Sequence, residues 1–305
     1  MSKLFNKITS LSLGLLLTLL LLSSTLAAKG NWEHDYFTYG AGLSEAQLAE
    51  TERLIGVPQD KNLKKIVVTG ADYKDFTGYS ISDVGMYSSA VITKTAEGSG
   101  VHVYINTPSN ITQIKDHQYM NAALTSGITD CNIVVGSPVP VTGESALIGV
   151  YKAFEDAGYK LNKNATKAAT DELIVVNEIN QNNSSNPNFN SEDFSKAIAT
   201  IKEQLATVSD KSDMSSEQIL VTINNVLNQY NITISEADQQ KLAGWLDEFR
   251  ALDINWDAIG KELSGLGNLI SNKAGEIYEW GQANGFWAKL WEAVQAFFNS
   301  LFSRN

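Results

Sequence analysis

Hydrophobic and polar residues alternate differently in the two halves of the chain. From about residue 33 to residue 178, helix-like spacing is interleaved with short apolar runs typical of strands. The order is one helix, three strands, a helix, a strand and a helix, at 44–56, 64–70, 85–95, 100–108, 115–127, 131–136 and 143–158. This order predicts an α/β layer domain with a mixed sheet over residues 33–178.

Local signals mark the ends of several of these elements. Ser44 and Gln47 have the spacing of a capping box at the start of the first helix, and Gly56 is placed to end it. The turn-forming run 96–100 separates two β-rich segments. Such a run between two strands predicts a β-hairpin.

The second half of the chain has a continuous helical pattern. Residues 180–191 are polar and rich in Asn, so we interpret them as a linker. One helical face follows, carried by Phe194, Ile198, Ile201, Leu205 and Val208. Further helices are predicted to begin at Ser215, Ser235 and near residue 255. The predicted fold class is α+β, with a mostly helical C-terminal domain over 191–305.

The end of the chain carries an aromatic, amphipathic pattern at 286–302. Its apolar stripe consists of Trp287, Leu290, Trp291, Val294, Phe298 and Leu301. With Lys289 and Glu292 inside it, the segment is too short and too charged to span a bilayer. Two interpretations stay open: the helix packs on its own domain, or it lies in a membrane interface or on a partner protein.

The beginning of the chain has the layout of a secretory signal peptide over residues 1–28. Lys3 and Lys7 precede a long apolar core, and small residues predict cleavage after Ala27 or Ala28. The alternative is an uncleaved membrane anchor, since the whole apolar region is nearly long enough to span. Cleavage implies secretion, with the protein extracellular or associated with the cell surface.

The charge balance limits the classes of partner. The chain has 23 basic and 34 acidic residues, and removal of the leader leaves 21 basic residues and a net charge of −13. Nucleic acids are bound through their phosphates, so we expect no nucleic-acid partner. The same charge argues against a general affinity for anionic membranes or wall polymers. The tail from Phe286 onward is an exception, because its net charge is +1.

Residues suited to metal or thiol chemistry are few. Cys131 is the sole cysteine and lies in an apolar run, which predicts a buried, inert thiol and excludes an intramolecular disulfide. No pair of histidines has metal-ligand spacing. Residues 253–257 resemble the start of a calcium loop, but the required Gly and final Glu are absent. We expect neither a metal nor a cofactor.

The stretch "GSPVPVTGES", residues 136–145, resembles a catalytic loop more than any other segment. It lacks the Lys of a phosphate-binding loop and the second Gly of a nucleophile elbow. We therefore predict a structural turn with Thr142 as the N-cap of the following helix.

An alternative for the same stretch is ligand binding. Backbone N–H groups at the start of a helix bind anions, and open α/β sheets bind ligands at this position. The candidate ligand-binding residues are Ser137, Thr142, Gly143, Glu144 and Ser145. No catalytic residue is assigned.

Several of these segments also carry a family likeness. "TYGAGLSEAQ", "YSSAVIT", "EGSGVHVYI" and the long run from Tyr119 to Leu161 resemble the YpuA-like family, the domain of unknown function 1002. The likeness is dense from Thr38 to Leu161 and looser beyond. The resemblance implies an exported protein, in a family mostly from Gram-positive bacteria, and it carries over no active site. Family sequences commonly read Ser-Gly-Thr-Ala-Ala where this chain has residues 142–146, so the hydroxyl expected to cap the helix is kept.

Together these observations favour an exported protein of unknown biochemical activity. A non-enzymatic role, either binding or structural, in the bacterial cell envelope fits best, with an unknown envelope ligand or protein as partner. The alternative is an envelope hydrolase that uses the strand-to-helix turn at 136–145.

Overall fold

The computed structural model describes residues 30–59, 62–208, 211 and 214–264. The predicted signal peptide, 1–28, and the predicted C-terminal contact stripe from Trp287 to Leu301 lie outside the described residues. Among the helices described, none has both the length and the hydropathy needed to cross a bilayer.

The predicted fold class, α+β with a mixed sheet, is confirmed. The strands are β1 (Asp35–Gly40), β2 (Leu63–Val68), β3 (Ser89–Lys94), β4 (Val101–Ile105) and β5 (Cys131–Gly136). They form one five-stranded sheet in the order β2-β1-β3-β5-β4. β1 is parallel to β2 and β4 to β5, whereas β3 runs antiparallel to both of its neighbours.

Helices surround the sheet and make up the second half of the described chain. They are α1 (Glu45–Leu54), α2 (Gly70–Thr77), α3 (Asp116–Thr125), α4 (Glu144–Asp156), α5 (Lys163–Asn182), α6 (Ser191–Thr207), α7 (Ser216–Gln229) and α8 (Glu236–Arg250). Residues 256–264 are also helical. β1, α2 and most of α5 were absent from the predicted elements.

The capping boxes predicted between residues three positions apart are confirmed. The Ser44 hydroxyl accepts the N–H of Gln47 at 3.3 Å, while the Gln47 side chain accepts the N–H of Ser44 at 3.0 Å. Ser215 and Gln218 form the same box at the start of α7. Gly56 follows α1 with φ +67°, a conformation that glycine adopts without strain.

The predicted hairpin between β3 and β4 is wrong, because β5 lies between them. All six residues of β5 are buried, so the strand gains most from a position covered on both faces and paired on both edges. β4 occupies the edge of the sheet, and two of its residues, His102 and Ile105, are only partly buried.

Two main cores organise the described chain. On one face of the sheet, α3 and α4 bury Ile92, Val103 and Ile133 in the first core. α1 covers the other face with a small cluster that includes Phe37 and Ile55. The helices α5 to α8 enclose the second core.

The long helix α5 takes part in both main cores. Ala169 and Leu173 pack in the first core, while Ala168 and Val176 pack in the second. α5 runs to Asn182, so the first residues of the predicted linker 180–191 are helical and the turns follow them. The domain boundaries stay predictions.

The direction of the strands brings the starts of four helices to the same end of the sheet, the one at which most strands have their carboxyl ends. Four strands have their carboxyl ends there: β1, β2, β4 and β5. β3 runs in the opposite direction and begins beside these ends. Each of these four strand ends is followed along the chain by a helix, in turn α1, α2, α3 and α4, and the longest connection has ten residues, between β4 and α3. The turn 136–143 therefore lies where open α/β sheets commonly bind ligands.

Candidate functional site

The start of α4 differs from its prediction. The helix begins at Glu144 with Gly143 as N-cap, so the predicted N-cap at Thr142 is wrong. Gly143 has φ +122°, a conformation that favours glycine. The hydroxyl of the preceding residue, Thr142, donates to the Glu144 carboxylate. Thr142 is therefore bonded to a side chain instead of to a free helix N–H.

A serine from another element supplies the missing cap. Ser88, just before β3, accepts the Ala146 N–H at its hydroxyl oxygen over 2.9 Å. The same hydroxyl lies 2.9 Å from the Gly143 carbonyl oxygen, to which it donates. Ser88 and Ala146 are 58 residues apart in the chain, so the helix start is fixed by the assembled sheet.

Ser145 completes a buried hydroxyl network with Ser88 and Tyr119. Its Oγ lies 2.6 Å from the Ser88 Oγ and 3.1 Å from the Ser88 carbonyl oxygen. The Tyr119 hydroxyl donates to the Gly143 carbonyl at 2.6 Å. Burial, with a smaller contribution from nearby Glu144, raises the pKa of Tyr119 well above its usual value, so its proton stays in place.

The hydrogen bonds of this network favour a structural role for Ser145 over that of a nucleophile. A serine nucleophile needs a neighbouring base to take its proton. Within the described chain, the Ser145 hydroxyl bonds to the hydroxyl and carbonyl oxygens of Ser88, which are poor bases. The bonds of Ser145 hold α4 against β3.

Ser137 has a separate set of bonds on the far side of the turn. Its N–H donates to the Thr107 hydroxyl at 2.9 Å, and its own hydroxyl donates to the Val139 carbonyl at 2.7 Å. The Asn110 amide donates to the Ser137 carbonyl at 2.8 Å. These contacts join the loop after β5 to the loop after β4.

The structure thus separates the five predicted ligand-binding residues. Ser137, Gly143 and Ser145 are buried, while Thr142 and Glu144 are partly exposed and bonded to each other. Only the latter two offer side chains to a ligand at the surface. Ser88 and Tyr119 were missed, since no sequence spacing relates them to the turn.

The remaining candidate groups are held in structural contacts. Cys131 is fully buried, and burial raises the pKa of its thiol to about 12, as expected for an inert cysteine. The Nε2 atom of His102 lies 2.8 Å from the Ser99 carbonyl oxygen. Across the part of the chain that the structure describes, no group of three His, Cys, Asp or Glu side chains could hold a metal ion.

A buried ion pair joins the two main cores. Lys202 Nζ of α6 lies 3.1 Å from Glu172 Oε1 of α5, and both side chains are essentially inaccessible to solvent. The ammonium also donates to the Asn121 carbonyl at 2.9 Å, and Thr125 donates to the Glu172 carboxylate. Burial is the largest influence on both groups: it raises the pKa of Glu172 and lowers that of Lys202.

Replacing Ser88 by alanine should lower the free energy of unfolding by about 1–2 kcal/mol, as for the loss of a helix cap. The substitution removes the 2.9 Å acceptor of the Ala146 N–H and leaves it the longer, 3.2 Å contact with the Gly143 carbonyl oxygen. Urea unfolding measures the change. Ser89→Ala is the matched control, because the Ser89 hydroxyl makes only a 3.4 Å contact with the Tyr87 carbonyl. Equal losses in the two variants would contradict the capping role.

Comparisons with known proteins identify a family and a relative of this chain. The family described as "Protein of unknown function (DUF1002)" matches residues 39–266. A Bacillus subtilis (strain 168) protein, "Uncharacterized protein YpuA", is 25% identical over 273 residues, which cover 86% of this chain and 88% of the relative. No solved structure matches.

Proposed function

The chain belongs to the DUF1002 family of proteins of unknown function, and from this premise we propose that it is a non-enzymatic binding or structural component of the bacterial cell envelope. The observation that carries the proposal is the buried bonding of Ser145 to Ser88 at 2.6 Å. In the alternative, an envelope hydrolase, the turn 136–145 would have to supply the nucleophile, and Ser145 is used there to fix a helix.

The envelope location rests on the composition of the leader. Residues 1–28 combine two lysines, a long apolar core and small residues before the cleavage position, which supports export. The excess of acidic residues in the exported part, with a net charge of −13, supports a ligand other than an anionic polymer.

Of the five candidate ligand-binding residues in the turn, we propose that Thr142 and Glu144, which are partly exposed, contact the ligand. The Glu144 carboxylate lies in the first turn of α4, where the helix dipole stabilises a negative charge. A ligand that donates hydrogen bonds would meet this carboxylate first. Burial of Ser137 and Ser145 makes their hydroxyls unsuitable for direct contact without a rearrangement.

The proposal is tested first by location and then by binding. Mass spectrometry of culture fractions should find a mature chain beginning near Lys29 in the medium or with the envelope. The purified chain is then sedimented with isolated envelope material, and both the bound fraction and any soluble products are measured. We expect saturable binding without release of soluble products.

Two variants separate the binding role from the hydrolase. Thr142→Ala with Glu144→Gln should weaken binding while lowering the free energy of unfolding by no more than about 1 kcal/mol, since both side chains are partly exposed and only a helix-dipole contribution is lost. Ser145→Ala should lower stability and leave the binding of the folded protein intact. Soluble products that the wild type releases and a folded Ser145→Ala variant does not would establish the hydrolase. A chain that stays in the cytoplasm would contradict the envelope role.

A further inference from the structure

One outer strand of the sheet, β2, has an unpaired side that is exposed to solvent. β2 stands at the end of the order β2-β1-β3-β5-β4 and pairs with β1 only. Lys64, Lys65 and Val67 of this strand are exposed, Val67 by 39%. The other outer strand, β4, differs, because three of its five residues are buried. The unpaired side of β2 is therefore the one that another chain can approach.

The register of β1 and β2 shows which backbone groups lie on this unpaired side. In a parallel pair, alternate residues of a strand direct their N–H and C=O groups to the neighbouring strand. The Ala41 N–H donates to the Val68 carbonyl at 2.8 Å, so the backbone of Val68 faces β1. The residues of β2 that alternate with Val68 face outward. These outward residues are Leu63, Lys65 and Val67.

The hydrogen bonds of β2 agree with this direction. The Val67 carbonyl accepts a bond from Lys152 Nζ of α4 at 2.8 Å, as expected for a carbonyl that does not face β1. Within the described ranges of the chain, no hydrogen bond occupies the other five outward groups, which are three N–H groups and the carbonyls of Leu63 and Lys65. Such a row of unpaired backbone groups is a template for one more strand.

Lysines lie beside this template on both faces of the strand. Lys64 bonds to Asp156 of α4 at 2.6 Å. On the opposite face, Lys65 bonds to Glu52 of α1 at 2.6 Å. The two lysine side chains are still 47% and 49% exposed, and an ammonium group has three donors, so each can bind a further carboxylate oxygen. Because charges are screened beyond about 8 Å at physiological ionic strength, an approaching strand meets these lysines more than the distant acidic residues.

A second copy of this chain is a poor occupant of the unpaired side. A two-fold antiparallel pairing that uses all three outward residues places Lys65 directly opposite Lys65 of the second copy. Like charges directly opposite each other destabilise a sheet, whereas opposite charges stabilise it. The lysines therefore disfavour self-pairing and favour an acidic strand.

We propose that the unpaired side of β2 binds an extended, acidic segment of another protein, which adds a sixth strand to the sheet. In this segment an Asp or Glu lies opposite Lys65. The residues two positions away on either side lie opposite Leu63 and Val67, on the same face, where β-branched side chains fit. This surface shares no residue with the turn 136–145, so the proposal does not depend on ligand binding there.

Two synthetic peptides test the proposal with the full chain. One is the blocked heptapeptide Thr-Val-Thr-Glu-Thr-Val-Thr, and the other has Lys in place of Glu. In fluorescence anisotropy the Glu peptide should bind about fivefold more tightly, because an opposite-charge pair replaces a like-charge pair. Hydrogen exchange should then show new protection at the amides of Leu63, Lys65 and Val67. Equal binding of the two peptides, or no binding up to about 1 mM, would overturn the proposal.

A proline variant tests whether the peptide uses the outward backbone groups. Val67→Pro removes an outward N–H and no bond to β1, so the fold should persist while peptide binding weakens about fivefold, as for one lost hydrogen bond. Val67→Thr is the matched control, because it keeps both the N–H and a β-branched side chain, and it should bind like the wild type. Full binding by a folded Val67→Pro variant would show that the peptide lies elsewhere.

A charge reversal gives a second test that leaves the backbone unchanged. In Lys65→Glu the preference should reverse, so that the Lys peptide binds more tightly than the Glu peptide. A preference that stays the same would rule out the pairing opposite Lys65. Sedimentation velocity of the wild type without peptide tests the competing occupant. A dimer that Val67→Pro abolishes would assign the unpaired side to a second copy and overturn the proposal.

Discussion

Lys202→Met is expected to lower the free energy of unfolding by about 3–5 kcal/mol at neutral pH, because it leaves the Glu172 carboxylate buried without its charged partner. The Lys202 Nζ and Glu172 Oε1 atoms are 3.1 Å apart, and the two side chains are 0% and 1% exposed. Water cannot replace the lost ammonium at such a position. Urea unfolding monitored by circular dichroism measures the loss.

The same variant should also acquire a specific pH dependence. Burial already raises the pKa of Glu172, and removal of Lys202 takes away the charge that lowers it. With its pKa raised above 4.5 in the folded state, Glu172 opposes folding less in acid, and stability is lost as the pH rises. The deficit of Lys202→Met should therefore be smaller at pH 5 than at pH 8.

A surface pair supplies the matched control. Lys241 of α8 also pairs with a glutamate of α5, Glu178, but these side chains are 41% and 46% exposed. Lys241→Met should cost less than about 1 kcal/mol. The double variant Lys202→Met with Glu172→Leu should recover much of the stability, since no buried charge remains. If Lys202→Met costs no more than Lys241→Met, the buried pair does not join the cores as described.

The second large effect is expected at Gly149, where α4 lies directly on β1. A Cβ atom there would lie 2.2 Å from the Thr38 Oγ1 atom and 2.8 Å from the Thr38 Cβ atom. Alanine favours a helix more than glycine does, yet Gly149→Ala should lower the free energy of unfolding by about 2–3 kcal/mol, because the helix must move away from the sheet.

Gly244 of α8 provides the opposite case. Nothing lies within 4 Å of a Cβ atom placed there, so Gly244→Ala should raise the free energy of unfolding by about 0.5–1 kcal/mol through helix propensity alone. Thermal unfolding of the two variants measures both effects. A rise in stability in Gly149→Ala, as in Gly244→Ala, would show that α4 does not pack closely against β1 at Gly149.

Elements with a local signal were predictable from the sequence. The capping boxes at Ser44 and Ser215 depend on residues three positions apart, and β5 is a short, continuous apolar run. β1 was missed because the adjacent aromatics Tyr36 and Phe37 are both buried, on opposite faces of the sheet. Such a strand has no alternation to detect.

Two helices were difficult for other reasons. α2 has only eight residues and begins with a glycine, so its helical pattern is short. The first half of α5 packs through Ala165, Ala168 and Ala169, small residues that give little hydrophobic periodicity. Close helix packing through alanine needs a large partner on another helix, such as Trp245, whose indole N–H donates to the Ala168 carbonyl at 2.8 Å.

The sequence predicted the position of the candidate site in the fold, but not the hydrogen bonds that hold it together. The turn between β5 and α4 lies at the carboxyl edge of the sheet, as strand and helix order implied. The cap at Ala146 comes from Ser88, which reaches it only after β3 has paired with β5. Residues that become neighbours only through strand pairing are not separated by any characteristic number of positions in the sequence, so no motif reveals them.

The position of β5 between β3 and β4 has a consequence for the order of folding. β3 and β4 precede β5 in the chain, so neither can complete its pairing until residues 131–136 are available. During synthesis the N-terminal part of the chain emerges first, so β3 and β4 pass through a stage in which both have open edges. Open edges pair readily with other chains. We therefore expect self-association to compete with folding until β5 has emerged.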